Sequence, residues 1–492
     1  MLSLAEPAEY PLMSARRRLV LIIEPGSRQL NIFSQFTLPR LGSFLLAGLA
    51  NRNPNWTGRV FVEGREWFDL DRWISRHGQP DVVCISTITP TANRSYQIAD
   101  ACRSKGIPVA MGGPHVTFMP DEALNHAELV VRGEGEIAFQ ALLDLWSDGP
   151  IKGTDPRYAG VPNLSWKDDA GAVHHNPLGA KVEDLDTLPL PDFSLADGTA
   201  DCVIGGKRTV VVQTSRGCPF DCSFCSVTAM FGKKLRHRST ASVVEELEKY
   251  DTPKHVVFFC DDNFAANKAK ARELVEAMLR RGFRFHWSTQ VRTDVARDPE
   301  LLGMMKKSGA HTLFIGFESV NPTSLKEMKK AQQLDEMRAA IETIHRAGIH
   351  IHGMFVLGFE SDDTRTAEET VKFIQRMKLT SAQLLILTPL PGTELHKQLT
   401  AQRRIVSQDW DLYDAHHVVF RPRTFTPCEL QYAQVNGHTR LYSLPQVLKK
   451  IVTGRFLSAS LSLYAWQINR RWQKDNAEYL AWLRSSIENA ND

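Results

Sequence analysis

The sequence contains no long apolar run. None of its stretches approaches the ~20 residues of a membrane-spanning helix. The layout of a signal peptide is missing too: Glu6, Pro7, Glu9 and Pro11 interrupt the N-terminus, and no apolar run joins Arg16, Arg17 and Arg18 to a cleavage site. Cysteine is sparse. Eight are scattered over 492 residues, which excludes a disulfide framework and implies a reducing, cytoplasmic setting. Net charge is only +3, and no basic run accompanies a recognisable nucleic-acid module, so no nucleic-acid partner is expected. Tandem repeats and low-complexity segments are absent, which removes solenoids and propellers.

What is present is a globular composition, 43% hydrophobic and 23% charged, in a chain too long for one core. Residues 1–18 read as a tail. Residues 19–150 alternate short apolar runs at 19–23, 60–62, 82–86, 108–111 and 129–131 with helical stretches, notably 92–105 and 136–147. This predicts a doubly wound, flavodoxin-like α/β domain, whose ligands sit at the carboxyl ends of its strands. Those ends carry Ser86 and Thr87, Gly112, Gly113 and His115, and Gly133, Glu134 and Gly135. Glycine and hydroxyl residues there let backbone amides approach a phosphate or a flat ring. Residues 151–207, rich in Pro, Gly and Asp, read as a connector with a hairpin near Asp168–Gly171.

From 208 to 395 the alternation resumes with longer helices. Strands are expected at 209–213, 255–260, 284–290, 312–317, 350–357 and 382–387. Six βα units predict a parallel sheet curled into a partial barrel, short of the eight of a closed one. Residues 396–492 read as helical and basic; 421–492 hold ten Lys/Arg against five Asp/Glu.

The most specific feature follows the first strand of that second half. Cys218, Cys222 and Cys225 stand in Arg216-Gly-Cys-Pro-Phe-Asp-Cys-Ser-Phe-Cys225, a C-x3-C-x2-C loop. Three thiolates can hold three irons of a [4Fe–4S] cluster and leave the fourth open for chemistry. A zinc site would show paired spacing and a fourth ligand, and none lies nearby. Later strands end in polar residues. Asp261, Asp262 and Asn263 can accept hydrogen bonds from an ammonium group or ribose hydroxyls. Arg292 follows the third strand, Glu318 and Ser319 the fourth, and Pro389 the sixth. Taken singly, such residues are commonly helix caps or turn formers.

Taken in order, they resemble the radical S-adenosylmethionine (SAM) enzymes that carry an N-terminal cobalamin-binding domain. The likeness covers roughly 20–390. It implies that Cys218, Cys222 and Cys225 bind the cluster, and that SAM chelates the open iron and is cleaved to methionine and a 5′-deoxyadenosyl radical. In this reading Arg292 pairs with the methionine carboxylate, Glu318 binds the SAM amino group or ribose, and Pro389 lies against the adenine. Gly112-Gly-Pro-His115 and Arg132-Gly-Glu-Gly-Glu136 look like the cobalamin-binding half; His115 either lines the nucleotide tail or caps a turn. The D-x-H-x-x-G motif that supplies a cobalt ligand in many cobalamin proteins is absent, as in many radical SAM relatives.

The resemblance implies a cobalamin-dependent methyltransferase acting on an unactivated carbon of a small molecule, with a lipid or a tetrapyrrole among the candidates. Its electron donor would be of flavodoxin or ferredoxin type. Relatives such as the anaerobic magnesium-protoporphyrin cyclase make ring formation, oxidation or rearrangement the second reading. A non-catalytic cobalamin or iron–sulfur sensor is the third, and the full strand-end set argues against it. In the tail, Leu457, Leu461, Tyr464, Ile468 and Trp472 share one helical face. That face either packs on the protein or touches a membrane peripherally. Tyr413, His416 and His417 are candidate pocket or structural residues.

Overall fold

The computed structural model describes residues 16–27, 38–64, 66–198, 203–204, 206–250, 254–330 and 332–488. The expected tail, 1–18, lies mostly outside them. The first half is an eight-stranded sheet: β1 (Arg18–Glu24), β2 (Trp56–Val62), β3 (Val82–Ser86), β4 (Val109–Gly112), β5 (Leu129–Val131), β6 (Leu164–Lys167), β7 (Val173–His175) and β8 (Ala196–Gly198). Its order is β7-β6-β5-β4-β3-β1-β2-β8. The five central strands are parallel and follow the flavodoxin order. β1 is apolar at every step from Leu19 to Ile23 because helices cover both of its faces. Leu19, Leu21 and Ile23 enter one core, and Val20 and Ile22 the other. The stretch read as a connector adds strands to this sheet at both edges. β6 and β7 form the expected hairpin beside β5, and β8 pairs with β2.

The second half holds β9 (Val203–Ile204), β10 (Lys207–Val212), the small pair β11 (Ser215–Arg216) and β12 (Arg236–His237), then β13 (His255–Phe259), β14 (Trp287–Val291), β15 (Ala310–Glu318), β16 (His350–Leu357) and β17 (Ser381–Ile386). β10, β13, β14, β15, β16 and β17 form the six parallel strands of a partial barrel, and β9 runs antiparallel along β10. Leu313, Ile315 and Phe317 alternate with less buried residues along β15 and pack outward into the helical layer.

An incomplete barrel leaves β17 with an unpaired edge, and the C-terminal region covers it. The helix Pro427–Leu441 lies along the strand. Tyr442 Oη accepts from the Ala382 amide at 2.8 Å, and His438 Nε2 from the Leu384 amide at 3.1 Å. Gln434 Nε2 donates to the Leu384 carbonyl at 3.1 Å, and the Ile386 amide donates to the Ala415 carbonyl at 2.7 Å. Side chains thus complete a ladder that would otherwise invite another chain. Farther on, Trp410 docks in the first half, donating to Glu122 at 2.7 Å and sharing a core with Leu21 and Val116.

Several histidines in this framework are held neutral. Burial pushes His115 and His352 down to about 4 and His438 to about 3. A protonated His438 would also turn a donor toward the Leu384 amide. Below the ordinary histidine range the unfolded chain takes up protons that the folded chain refuses, so stability falls as pH falls. Between pH 7.5 and about 5.5 the three should together cost about 4 kcal/mol. Urea unfolding midpoints at the two pH values measure this. An unchanged midpoint would contradict the neutral assignment.

Candidate functional site

The cysteine loop leaves β10 and is shaped by its own backbone. Gly217 has φ +95°, and a Cβ there would lie 2.5 Å from the Lys234 carbonyl oxygen, so only glycine fits between Arg216 and Cys218. The Cys218 amide donates to the Gly232 carbonyl at 3.2 Å, and the Cys225 amide to that of Cys222 at 3.2 Å. All three thiols are partly buried and free of disulfides. Burial raises the Cys218 and Cys225 thiols, Cys225 to about 11, while the Phe220 and Val227 amides and Arg292 oppose the rise. The Arg292 guanidinium sits 3.8 Å from the centroid of the Phe220 ring, inside the cysteine loop.

Around this loop the strand-end residues divide into two groups. Asp262 and Asn263 remain available. Asp262 is solvent-accessible yet deep among protein atoms, and burial, with the charge of Asp261, pushes its carboxyl up to about 6. Asn263 is buried with both amide atoms unpartnered. Pro389 is buried at the end of β17. Other candidates are committed to the protein. Asp261 accepts from the hydroxyls of Ser215 at 2.6 Å and Thr214 at 2.9 Å, fastening the approach to the cysteine loop. Ser319 Oγ accepts from the Asn321 amide at 3.0 Å and shapes the turn into the next helix. Glu318, at φ +63°, pairs at 2.6 Å with Lys330, which also donates to the Gly316 carbonyl at 2.6 Å. The ion pair with Lys330, nearly excluded from solvent, holds this left-handed backbone in place. Nothing in the sequence distinguishes Lys330 from its neighbour Lys329.

The strand ends of the first half meet this loop directly. Glu134 and Glu136 face Arg216 and Arg236, all four nearly excluded from solvent. Arg216 lies 3.1 Å from Glu134 and 2.7 Å from Glu136, and Arg236 pairs with Glu134. Glu134, expected at a cofactor, is thus a tie between the halves. A second contact brings the Pro389-containing loop against the Gly112–Phe118 loop: a Cβ at Gly392 would lie 2.4 Å from the Phe118 ring. His115 is fully enclosed. Its Nε2 lies 3.1 Å from Tyr96 Oη and its ring 4.8 Å from that of Trp410, so it packs in the core rather than lining a crevice. Gly113 has φ +103°, and a Cβ there would lie 2.6 Å from the Thr87 carbonyl oxygen, so the neighbouring strand end rather than a ligand requires this glycine.

The Radical SAM superfamily profile matches residues 212–374, and the B12 binding domain profile matches 40–143. Bacteriochlorophyllide d C-12(1)-methyltransferase of Chlorobaculum tepidum is 30% identical over 377 residues, which is 75% of this chain and 76% of that protein. The chain belongs to the radical SAM enzymes with a cobalamin-binding domain. An uncharacterized methyltransferase of Pyrococcus horikoshii is 29% identical over 446 residues, 88% of this chain and 94% of the relative. Among solved structures, the radical SAM methyltransferase TsrM of Kitasatospora setae, with cobalamin and a [4Fe–4S] cluster bound, shares the fold at a TM-score of 0.62. Its identity is 16%, over 79% of this chain and 75% of that one.

The residues of this radical SAM enzyme fit the three groups its family carries. Among the described residues no three His, Cys, Asp or Glu side chains converge on a single ion. A [4Fe–4S] cubane spreads its thiolates over separate irons, so three cysteines from one loop suit it without meeting at one point. The orphaned amide of Asn263 and the open carboxylate of Asp262 suit a polar ligand such as SAM. At the other sheet, Thr87 Oγ1 and His115 Nδ1 are both buried without a partner. A Cβ would meet nothing nearer than 3.8 Å at Gly112, 4.0 Å at Gly133 and 3.6 Å at Gly135. That cradle fits a corrinoid held without a histidine ligand. Arg40, which no sequence motif singles out, crosses the β1/β3 switch point, donating to the carbonyls of Ser86 at 2.5 Å and Pro25 at 2.8 Å.

Removing one partner of a buried ion pair leaves an uncompensated charge. Glu134→Ala strands Arg236 and half of Arg216, and should cost about 3–5 kcal/mol by urea unfolding. Glu134→Gln, which keeps the shape and some hydrogen bonds, should cost less. A loss below ~1 kcal/mol for the alanine variant, the range of exposed pairs, would contradict the tie.

Proposed function

We propose that this enzyme is a cobalamin-dependent radical SAM methyltransferase that methylates an unactivated carbon of a large, mainly apolar ring system, a tetrapyrrole or a polycyclic lipid. One observation carries the reading: the strand ends of the cobalamin-type sheet and of the barrel meet at Glu134–Arg216 and Phe118–Gly392, so both sets of loops border one mouth. When bound, the cluster, SAM and cobalamin supply one-electron cleavage and a transferable methyl group; the protein supplies orientation and burial.

In this reading Cys218, Cys222 and Cys225 hold the cluster, and Arg292, kept in place over Phe220, faces the SAM carboxylate. Asp262 and Asn263 receive its polar atoms, and Glu318, held by Lys330, orients the amino group or ribose. Asp261 acts at one remove, by fixing Thr214 and Ser215 ahead of the loop. Ser86, Thr87, Gly112, Gly133 and Gly135 border the corrinoid. Inside the barrel, toward the amino-terminal ends of its strands, aromatic residues form an apolar floor. Phe258 and Phe314 lie edge to face at 5.7 Å, and Phe314 packs 5.0 Å from His352. His352 is neutral, with Nδ1 2.8 Å from Ser381 Oγ and Nε2 3.3 Å from Gln383, leaving a narrow polar strip in an aromatic floor. A ring substrate is supported by the likeness to a Chlorobaculum enzyme named for its action on a bacteriochlorophyllide. The reductant would be a flavodoxin- or ferredoxin-type protein.

Anaerobic reconstitution with iron, sulfide, cobalamin, SAM and a low-potential reductant tests the reading. Wild-type protein should form both 5′-deoxyadenosine, from hydrogen abstraction, and S-adenosylhomocysteine, from the methyl donor, and add one methyl unit to a molecule in a tetrapyrrole or hopanoid extract, read by mass spectrometry. Replacing Cys218, Cys222 and Cys225 by Ala should abolish both cluster and turnover, while Cys84→Ala and Cys102→Ala, buried in the first half, leave the cluster intact. A substrate that loses hydrogen or closes a ring without gaining a methyl would overturn the methyltransferase assignment.

A further inference from the structure

The C-terminal region exposes an apolar surface that folding leaves uncovered. In the helix Leu444–Val452, Leu444, Leu448, Ile451 and Val452 fall at i, i+4, i+7 and i+8, one helical face. That face points to solvent: Leu448 is 62% exposed and Val452 86%, while Val447 on its flank is buried. After a turn at Gly454 the next helix, Phe456–Asp475, begins with Phe456, 69% exposed, and Leu457. An amphipathic helix with its apolar side outward is the reverse of what a core requires. The face expected from Leu457, Leu461, Tyr464, Ile468 and Trp472 is divided: Trp472 is buried with Val435 and Leu480, while Leu457 at its start is exposed.

Lys449 and Lys450 lie in the same helix as the exposed face, and Arg455 at the turn that follows it. Between Arg440 and Lys474 the chain has seven Lys/Arg and no Asp or Glu. A groove of about 500 Å³ beside the turn is lined by His345, His350, Lys378, Arg455, Phe456 and Leu457, with no carboxylate among its lining residues. Lys378 and Arg455 are the charged groups of that lining, and no carboxylate opposes them, so the groove is electropositive. Arg455 anchors the turn beneath the barrel, donating to the carbonyls of Lys378 at 2.7 Å and Leu379 at 2.9 Å, at the amino-terminal end of β17.

We propose that this turn between the two helices, with the basic groove beside it, docks on an anionic lipid bilayer. Apolar side chains enter the interface while lysine and arginine meet the headgroups. Among the described residues no helix is long and apolar enough to cross a membrane, so the contact is with the surface. The anchoring under β17 puts the bilayer at the opposite end of the barrel from the mouth, which stays open to substrate and reductant.

Sedimentation of the full-length protein with vesicles of phosphatidylcholine, with and without phosphatidylglycerol, tests this. Retention should require phosphatidylglycerol and fall as salt rises. Leu448→Ser, Val452→Ser and Phe456→Ser together should weaken partitioning by roughly tenfold or more, with an unchanged thermal midpoint because none of the three is in the core. Lys449→Glu with Lys378→Glu should remove the phosphatidylglycerol preference. Failure of the wild-type protein to bind, or equal binding by the serine variant, would overturn the proposal. So would light scattering that shows a wild-type dimer and a monomeric serine variant, since a second copy would then cover the face.

Discussion

Four charges that water does not reach hold the active parts of this enzyme in register. Glu134 and Glu136 close the cobalamin-type sheet, and Arg216 and Arg236 flank the cysteine loop of the barrel. Two carboxylates against two guanidinium groups leave no net charge, which makes the burial tolerable. Arg216 adds a bond to Gln213 at 2.9 Å, and Arg236 reaches the Val182 carbonyl at 2.6 Å. A pair of this kind contributes little stability compared with an apolar replacement, but it penalises every misaligned arrangement of the two halves. The cysteine loop starts one residue after Arg216 is fixed, separated only by the left-handed Gly217. Together with Phe118 against Gly392 and Trp410 in the first core, the ion cluster holds the loop's position relative to the other cofactor domain.

The C-terminal region completes what the two halves leave open. An incomplete barrel exposes β17, and Gln434, His438 and Tyr442 from one helix face satisfy its backbone. Trp410, some residues earlier, enters the core of the first sheet and walls in His115. The same segment thus touches both halves. His417, bonded to Asp414 at 2.9 Å and Asn476 at 2.8 Å, ties the last helices back to it. This is structural work, and it accounts for the burial of Tyr413, His416 and His417.

Periodicity makes the scaffold legible. Continuous apolar runs such as Leu19–Ile23 and Val210–Val212 belong to parallel strands covered on both faces, and each is bounded by glycine or polar strand ends. The cysteine spacing is legible because chemistry dictates it locally. The roles of Glu134, Asp261, Ser319 and His115 are not, because a polar residue at a strand end looks alike whether it meets a ligand or a neighbouring domain. Only the fold brings Glu134 to Arg236, 102 positions away. Lys330 and Arg40 escape a sequence reading for the same reason: their partners, Glu318 and the Ser86 carbonyl, are defined by tertiary contacts. The exposed face of Leu444–Val452 has an ordinary helical pattern, and the sequence alone does not say which side of such a helix is turned to solvent.

The central claim is that the buried ion cluster keeps the cobalamin site and the iron–sulfur loop facing one mouth. Electron paramagnetic resonance of the loaded enzyme, with cob(II)alamin and the cluster reduced together, tests it most directly. Two paramagnets across a shared mouth should broaden or split each other's signals, and Glu134→Gln with Glu136→Gln should narrow them at unchanged cofactor content. Signals in the wild-type enzyme that are the simple sum of two isolated centres would contradict the account.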